Sequence, residues 1–559
     1  MRRSGARRTV TRTGSSMSGD HHHLVPPELP EAVDVYDTTL RDGSQQEGLS
    51  LTVDDKLRVA QQLDHLGVQY IEGGWPGANP KDAEFFRRAA EGELELHHAT
   101  LVAFGSTRKA GGRAETDPVL ADMMAARTPV VCLVAKSAEW HVTETLRTTL
   151  TEAVDMVSDS VGYLVSQGKR VFLDAEHFFD GYRDNPGFST DVLKAAADAG
   201  AEVLVLCDTN GGSLPFEVER VVGEVRDRFN GGTGIGCHFH NDSGCAVANS
   251  LVAVRMGATQ VQGCINGYGE RTGNADLTST IPDLSLKMGV RTIARERLSL
   301  LTSVAHHIAE VVNIAPDPHQ PFVGTSAFAH KAGLHTSAIA RSRAAYEHVD
   351  PDQVGNGTRF VVSEMAGRST IALKSEQLGL SLDDSAMAAV VEQLKELEHR
   401  GYHFEVADGS LELLMRQATG WKQPYFAVES HRVITDLRED GSFVTEATVK
   451  VLVGDDRVIA TAEGNGPVNA LDAAMRKAIG PVYPQLSRVH LTDYKVRVLD
   501  TDRGTGAITR VLVDSTDGDR TWTTIGVSEN VIEASWAALA DSIVFGLLQV
   551  EAPGQNRPL

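Results

Sequence analysis

From Ala32 to about Gly289 the chain repeats one pattern: a short apolar run rich in β-formers, a polar loop, then a longer stretch with apolar residues at helical spacing. The runs are VDVYDTT (33–39), VQYIEGG (68–74), ATLVAFG (99–105), VVCLVA (130–135), RVFLDAEHF (170–178), AEVLVLCDTNG (201–211), GIGCHFHND (234–242) and TQVQGCINGYGE (259–270). Their starts lie roughly thirty residues apart, the size of one βα unit, and several are apolar on both faces, as buried parallel strands are. Eight such units predict an α/β fold of the closed (β/α)8 type, the TIM barrel, rather than an open doubly wound sheet. In such a barrel the chemistry gathers at the C-terminal strand ends.

Past the barrel the pattern changes. Helical stretches around 372–400 suggest a linker subdomain. Residues 410–551 mix the strand-like runs YFAVESHRVITDL, EATVKVLVG, VRVLDTDRG and ITRVLVDSTDG with two helical patterns, NALDAAMRKAI and NVIEASWAALADSIVFGLLQ, which reads as α+β. The expected division is a disordered arm over 1–30, the barrel over 31–300, linker and lid subdomains over 301–409, a C-terminal domain over 410–551 and a tail over 552–559.

With 559 residues the chain is too long for one core, and 42% hydrophobic with 23% charged residues excludes wholesale disorder or a fibrous repeat. A net charge of −22 argues against nucleic acid, and no run is read as reaching the ~18 apolar residues that cross a bilayer. Five scattered cysteines without a Cys-x-x-Cys pair fit a reducing, cytoplasmic setting. Residues 1–20, rich in Arg, Ser and Thr, read as a solvated arm, and the three histidines at 21–23 as linker rather than metal site.

The strand ends carry the candidate chemistry. DTTLRDG places Asp37, Arg41 and Asp42 at the rim of the first strand, and HFHND places His238 and His240 on one face of the seventh, because alternate strand residues share a face. Asn274, after the eighth strand, offers a neutral oxygen. Two imidazoles with two oxygens suit a divalent ion, Mn2+, Mg2+ or Zn2+, with positions left for substrate. The glycine-rich GYGERTG (267–273) lacks dinucleotide-binding spacing and reads as a close-approach loop.

YDTTLRDGSQQEG, HFHNDSGCAVANS and GCINGYGERTGNADL resemble the signature segments of the DRE-TIM metallolyases, and within them the 2-isopropylmalate, homocitrate and citramalate synthases, over nearly the whole chain after residue 30. YIEGGWPGANPKDAEFF (70–86) and FLDAEHFFDGY (172–182) are more similar to the citramalate branch; Trp75 stands where the isopropylmalate branch has the Phe of Gly-Phe-Pro. The resemblance implies a Claisen condensation of acetyl-CoA, as co-substrate, with a 2-oxo acid held on a divalent metal, followed by thioester hydrolysis. For the citramalate branch the acceptor is pyruvate.

It further implies Asp42, His238, His240 and Asn274 as metal ligands, Arg41 as the charge on developing oxyanions, Thr209 as the hydroxyl on the substrate carboxylate, and Glu176 as the acidic residue at the reacting centre. Asp174, two residues earlier on the same face, competes with Glu176. In FVGTSAFAHKAGLHTSAIARSRAAYEHVDPDQVGN (322–356), His335 matches the proposed catalytic histidine, with His330 as its competitor, and Tyr346 a tyrosine near acetyl-CoA; SEMAGRSTI (363–371) extends the match. GNGPVNALDAAMRKAI (464–479) resembles the family's regulatory, dimer-forming domain, so Gly464 and Gly466 are candidates for binding an amino-acid effector, isoleucine in the citramalate branch, within a homodimer. Two other readings compete: a 2-isopropylmalate synthase using 2-oxoisovalerate, and a non-catalytic amino-acid sensor, against which the retained metal-binding rim argues.

Overall fold

The computed structural model describes residues 28–229, 232–331, 335, 338, 339, 341–362, 368–499 and 501–551. The N-terminal arm through residue 27, residues 363–367 of SEMAGRSTI and the tail 552–559 lie outside the described residues. The chain forms two compact units, residues 1–327 with 352–356, and residues 328–351 with 357–559.

The first unit is a closed barrel of parallel strands in sequence order: β1 (Asp34–Asp37), β2 (Tyr70–Gly74), β3 (Thr100–Ser106), β4 (Val130–Lys136), β5 (Arg170–Glu176), β6 (Val203–Asp208), β7 (Gly234–Phe239) and β8 (Gln260–Gly263). Apart from the last residue of β3 and of β4, each strand lies inside one of the apolar runs. Closure comes from β8 against β1, in register from Asp34 opposite Gln260 to Asp37 opposite Gly263. The interior is filled by Tyr36, Tyr70, Val102, Phe104, Val130, Cys132 and Phe172, with the Tyr70 and Phe172 rings edge to face at 5.1 Å. Side chains projecting from the C-terminal strand ends therefore sit on a packed floor, not over a pore.

Local chemistry fixes the connections. The helix Val53–Leu66 starts with a reciprocal capping box between Thr52 and Asp55 and stops at Gly67, whose φ of 93° is the left-handed region glycine enters without steric cost. Asp64 accepts backbone N–H bonds from His97, His98 and Ala99 at 2.8–3.0 Å, pinning the entry to β3. In the loop after β8, a Cβ on Gly273 (φ +87°) would lie 2.0 Å from the Gly267 carbonyl oxygen, so this loop folds back on its own backbone.

In the second unit β9 (Ala329–His330) pairs in parallel with β10 (Arg359–Phe360), and the helices Arg368–Gln377, Asp384–His399 and Asp408–Ala418 follow. Two antiparallel sheets come next, β11 (Ala427–Leu437), β12 (Phe443–Val453) and β13 (Asp456–Gly464), then β14 (His490–Val498), β15 (Thr509–Thr516) and β16 (Thr521–Ser528). Each sheet is followed by a helix, Pro467–Ile479 and Val531–Glu551. The α+β reading anticipated four of the six strands. The two it missed, β13 and β16, pair antiparallel with β12 and β15 across the two-residue turn between Val453 and Asp456 and the short turn between Thr516 and Thr521. VRVLDTDRG is also corrected: its strand ends at Val498 and Thr501–Gly506 is a 3-10 turn.

Val531–Val550 is long and apolar enough, by length and composition, to cross a membrane, with a mean hydropathy of 1.6. Here it is 56% buried: Ala534 and Ala538 join Val511 and Val513, while Leu539, Ile543, Phe545 and Leu547 join the core that includes Val449, Met475 and Trp522. A helix with two such neighbours is apolar on both sides for that reason.

Candidate active site

The alternation of β7 brings His238 and His240 to one side, ring centroids 5.2 Å apart. Asp42, in the turn after β1, sets its Oδ2 3.3 Å from His238 Nε2, 3.6 Å from His240 Nε2 and 3.3 Å from Arg41 Nη1. Asp42, His238 and His240 are all buried, as is Asn274, the fourth proposed ligand. Burial opposes ionisation of Asp42, but the Arg41 guanidinium and the two imidazoles overcome it and hold the carboxyl well below the usual carboxylate range. Burial, reinforced by His238, pushes His240 down to about 4, keeping it in the neutral form that ligates metals.

The donor set fits a divalent cation. Ligand atoms of Asp42, His238 and His240 lie within 4.8 Å of one another. Asn274, bridged by its backbone to His240, spends its amide Nδ2 on the Tyr268 carbonyl (3.0 Å) and leaves a buried Oδ1 with no hydrogen-bond partner. An amide oxygen desolvated without a donor is costly unless something cationic uses it.

Arg41 is held from three sides. Its Nε donates to Glu72 Oε2 at 2.5 Å, Asp42 stands beside it, and its guanidinium lies 4.0 Å over the Phe104 ring. Glu72 has no exposed surface and also accepts from Tyr36 Oη at 2.6 Å. Asp174 accepts from Cys132 Sγ (3.2 Å) and Gln262 Nε2 (3.0 Å). Burial raises both Glu72 and Asp174 above ordinary carboxylates. Asp37 is fully buried and binds Thr39 and the Ile265 amide, so it ties the β1 loop to the β8 loop; burial pushes it up to about 7.

A cleft of about 700 Å3 opens above this cluster, lined by Arg41, Asp42, Trp75, Phe104, Val134, Asp174, Glu176, Thr209, His238 and His240 among others. Asp174 and Glu176 thus both reach it. Glu176, half-buried at the end of β5, is paired with Lys136 Nζ, and His141 Nδ1 is 3.9 Å from it. Lys136 thus pairs with the one carboxylate of a second group, His141, Glu176 and His177, whose ligand atoms lie within 4.8 Å of one another. Thr209 Oγ1 accepts the His177 amide at 2.9 Å. Arg271 bridges Asp242 (2.8 Å) and the Thr209 carbonyl (2.8 Å), joining the loops after β6, β7 and β8.

His335 and Tyr346 belong to the second unit, where their rings stack at 3.9 Å. His330 Nε2 instead lies 3.5 Å from Glu347. At Gly464 a Cβ would sit 2.5 Å from the Ala470 nitrogen, and the Asn465 amide is taken by Asn469, so close helix entry accounts for this glycine; the space around Gly466 is open. Sequence reasoning passed over Glu72, Lys136 and Gln262. The available signal was a charged or amide residue interrupting an apolar strand, in YIEGG, VVCLVAK and QVQG.

A family model described as HMGL-like matches residues 32–306, one described as homocitrate synthase post-HMGL domain-like matches 322–402, and one described as LeuA allosteric (dimerisation) domain matches 405–546. An (R)-citramalate synthase of Streptomyces coelicolor is 53% identical over 93% of this chain and 98% of its own length. One from Aquifex aeolicus is 48% identical over 94% and 100%. A 2-isopropylmalate synthase of Pyrococcus furiosus is 31% identical over 92% and 99%. Among solved structures, the HMG-CoA lyase of Bacillus subtilis is similar with a TM-score of 0.44 and 22% identity, covering 52% of this chain and 96% of that one. Identity at about half of the aligned positions, over more than nine-tenths of the chain, separates the first two relatives from the third: the chain belongs to the (R)-citramalate synthase family.

Proposed function

We propose that this chain condenses acetyl-CoA with pyruvate and hydrolyses the resulting thioester, giving (R)-citramalate and CoA. The observation that carries the reading is the meeting of Asp42, His238 and His240 with Arg41, Glu176 and Thr209 in one cleft walled by Trp75, Phe104 and Val134. Asp42, His238, His240 and Asn274 would hold a divalent cation, Mn2+ or Mg2+ in first place. When bound, that cation supplies Lewis acidity to the keto group.

Thr209 Oγ1 is already an acceptor from the His177 amide, which frees its hydroxyl proton to donate to the substrate carboxylate. Arg41, fixed by Glu72, Asp42 and Phe104, puts a permanent positive charge where enolate and alkoxide oxygens develop. Trp75 and Phe104, edge to face at 5.5 Å in the cleft wall, would favour by their bulk a methyl substituent on the keto carbon over a branched chain. The acetyl methyl gives up a proton, its carbon attacks the keto carbon, the alkoxide is protonated, and water then displaces the CoA thiol. Glu176 at the cleft and His335, stacked on Tyr346, are the candidate proton carriers. The C-terminal domain would join two chains in a cytoplasmic homodimer and bind isoleucine as feedback effector, in keeping with its match to an allosteric (dimerisation) domain.

The test is thiol release from acetyl-CoA with pyruvate, 2-oxoisovalerate or 2-oxoglutarate, in turn, using protein supplied with Mn2+ or Mg2+. Pyruvate is expected to give the highest kcat/KM. Preference for 2-oxoisovalerate would move the chain to isopropylmalate synthesis, and no release with any of the three would leave the amino-acid sensor.

A further inference from the structure

We infer that Gln262 is the positioning residue that presents His238 Nε2 to the metal, and that buried Asp174 anchors it. Strand register brings them together: Gln262 on β8 lies opposite His238 on β7 and is 1% exposed. Asp174 Oδ1, which takes the Cys132 thiol hydrogen at 3.2 Å, also faces Gln262 Nε2 at 3.0 Å. An oxygen offering lone pairs fixes which end of the amide turns toward it, so the NH2 group points to Asp174. The amide oxygen is then left facing His238 Nδ1 at 3.0 Å.

An amide oxygen only accepts, so Nδ1 must carry the hydrogen and Nε2 the ligating lone pair. That nitrogen is the one 3.3 Å from Asp42 Oδ2, so a cation placed between them would meet both. The orientation of one carboxylate thus sets an amide, the amide sets an imidazole tautomer, and the tautomer sets the metal ligand.

The chemistry also explains the residue type. Position 262 must donate on one side and accept on the other. Glu72, Asp174 and Asp42 already crowd Arg41 with buried carboxyl groups, so a glutamate here would set a further carboxylate 3.0 Å from Asp174. A neutral amide meets both needs without that repulsion.

The inference rests on the metal-site reading, and the experiment separates the two. Full-length protein and the variants His238→Ala, Gln262→Met and Gln262→Glu are stripped with chelator, exchanged into clean buffer and titrated with Mn2+, free ion being followed by electron paramagnetic resonance. Gln262→Met keeps the volume and loses the acceptor, so Mn2+ affinity should fall by about 10- to 100-fold. Gln262→Glu keeps an acceptor at Nδ1 and, with one proton shared between it and Asp174 in place of the lost amide N–H, should restore binding close to wild type, although its melting temperature should drop. A packing role alone predicts the reverse order. Unchanged affinity in His238→Ala would remove the metal site itself. Loss in His238→Ala with wild-type affinity in Gln262→Met, or binding by Gln262→Glu as weak as by His238→Ala, would overturn the role of Gln262 alone. If Gln262→Met does not fold, the glutamate variant decides by the same criterion.

Discussion

Replacing Glu72 tests whether Arg41 is held by its neighbours or placed by its own rotamer. Glu72 has no exposed surface and receives two donors, Arg41 Nε at 2.5 Å and Tyr36 Oη at 2.6 Å. In Glu72→Gln only one acceptor remains. The tyrosine hydroxyl can turn and accept from the new NH2 group, whereas the guanidinium cannot accept, so the amide oxygen goes to Arg41. A hydrogen bond between charged groups, contributing about 1.5–3 kcal/mol, becomes one with a neutral acceptor, at a cost of about 1–2 kcal/mol or a few degrees of melting temperature. Glu72→Ala removes one of the two buried carboxylates beside the guanidinium and leaves Tyr36 Oη without its acceptor, and should cost up to about 3–5 kcal/mol. Asp42 at 3.3 Å and the Phe104 face at 4.0 Å retain Arg41 loosely in both variants. If its charge stabilises the oxyanion, displacement should lower kcat by about 10²–10³ in the alanine variant, and less in the glutamine variant. The assays are thermal melting and saturating turnover with pyruvate and acetyl-CoA. Wild-type kcat in Glu72→Ala, at temperatures where it is folded, would refute the reasoning even if its melting temperature had fallen.

Two further outcomes follow from other parts of the chain. Trp75→Ala enlarges the cleft beside Phe104; since each buried methylene contributes roughly 0.8 kcal/mol, the kcat/KM ratio of 2-oxoisovalerate to pyruvate should rise by about 10-fold or more, and an unchanged ratio would take Trp75 out of the specificity wall. In the C-terminal domain, burial pushes Asp541 up to about 6 against the opposing hydrogen bond from Ser410 Oγ at 2.7 Å. A carboxyl raised on folding stabilises fully below its unfolded value of 3.8, and that contribution is lost as pH rises through about 6. The loss is about 3 kcal/mol. Asp541→Asn should therefore melt higher than wild type at pH 8 and alike at pH 4, as read by calorimetry; equal melting temperatures at pH 8 would show that Asp541 is not desolvated.

The sequence by itself determined the barrel and the gathering of Asp42, His238 and His240 at its rim. Hydrophobic periodicity is local, so strand positions could be read without knowing their partners, and His-x-His on a strand directs both imidazoles to one side whatever lies around it. GYGERTG was likewise legible as a close-approach loop, because only glycine tolerates its backbone contacts. Only the tertiary structure decided which side chains hold those residues in place. Lys136 meets Glu176 because β4 and β5 pair at that register, and Gln262 meets His238 because β7 and β8 do. Glu72 reaches Arg41 across 31 positions of sequence. Nothing within one strand specifies such pairs. They are set by how each strand slides against its neighbour when the barrel closes, and a shift of one residue would turn every one of these groups to the other face.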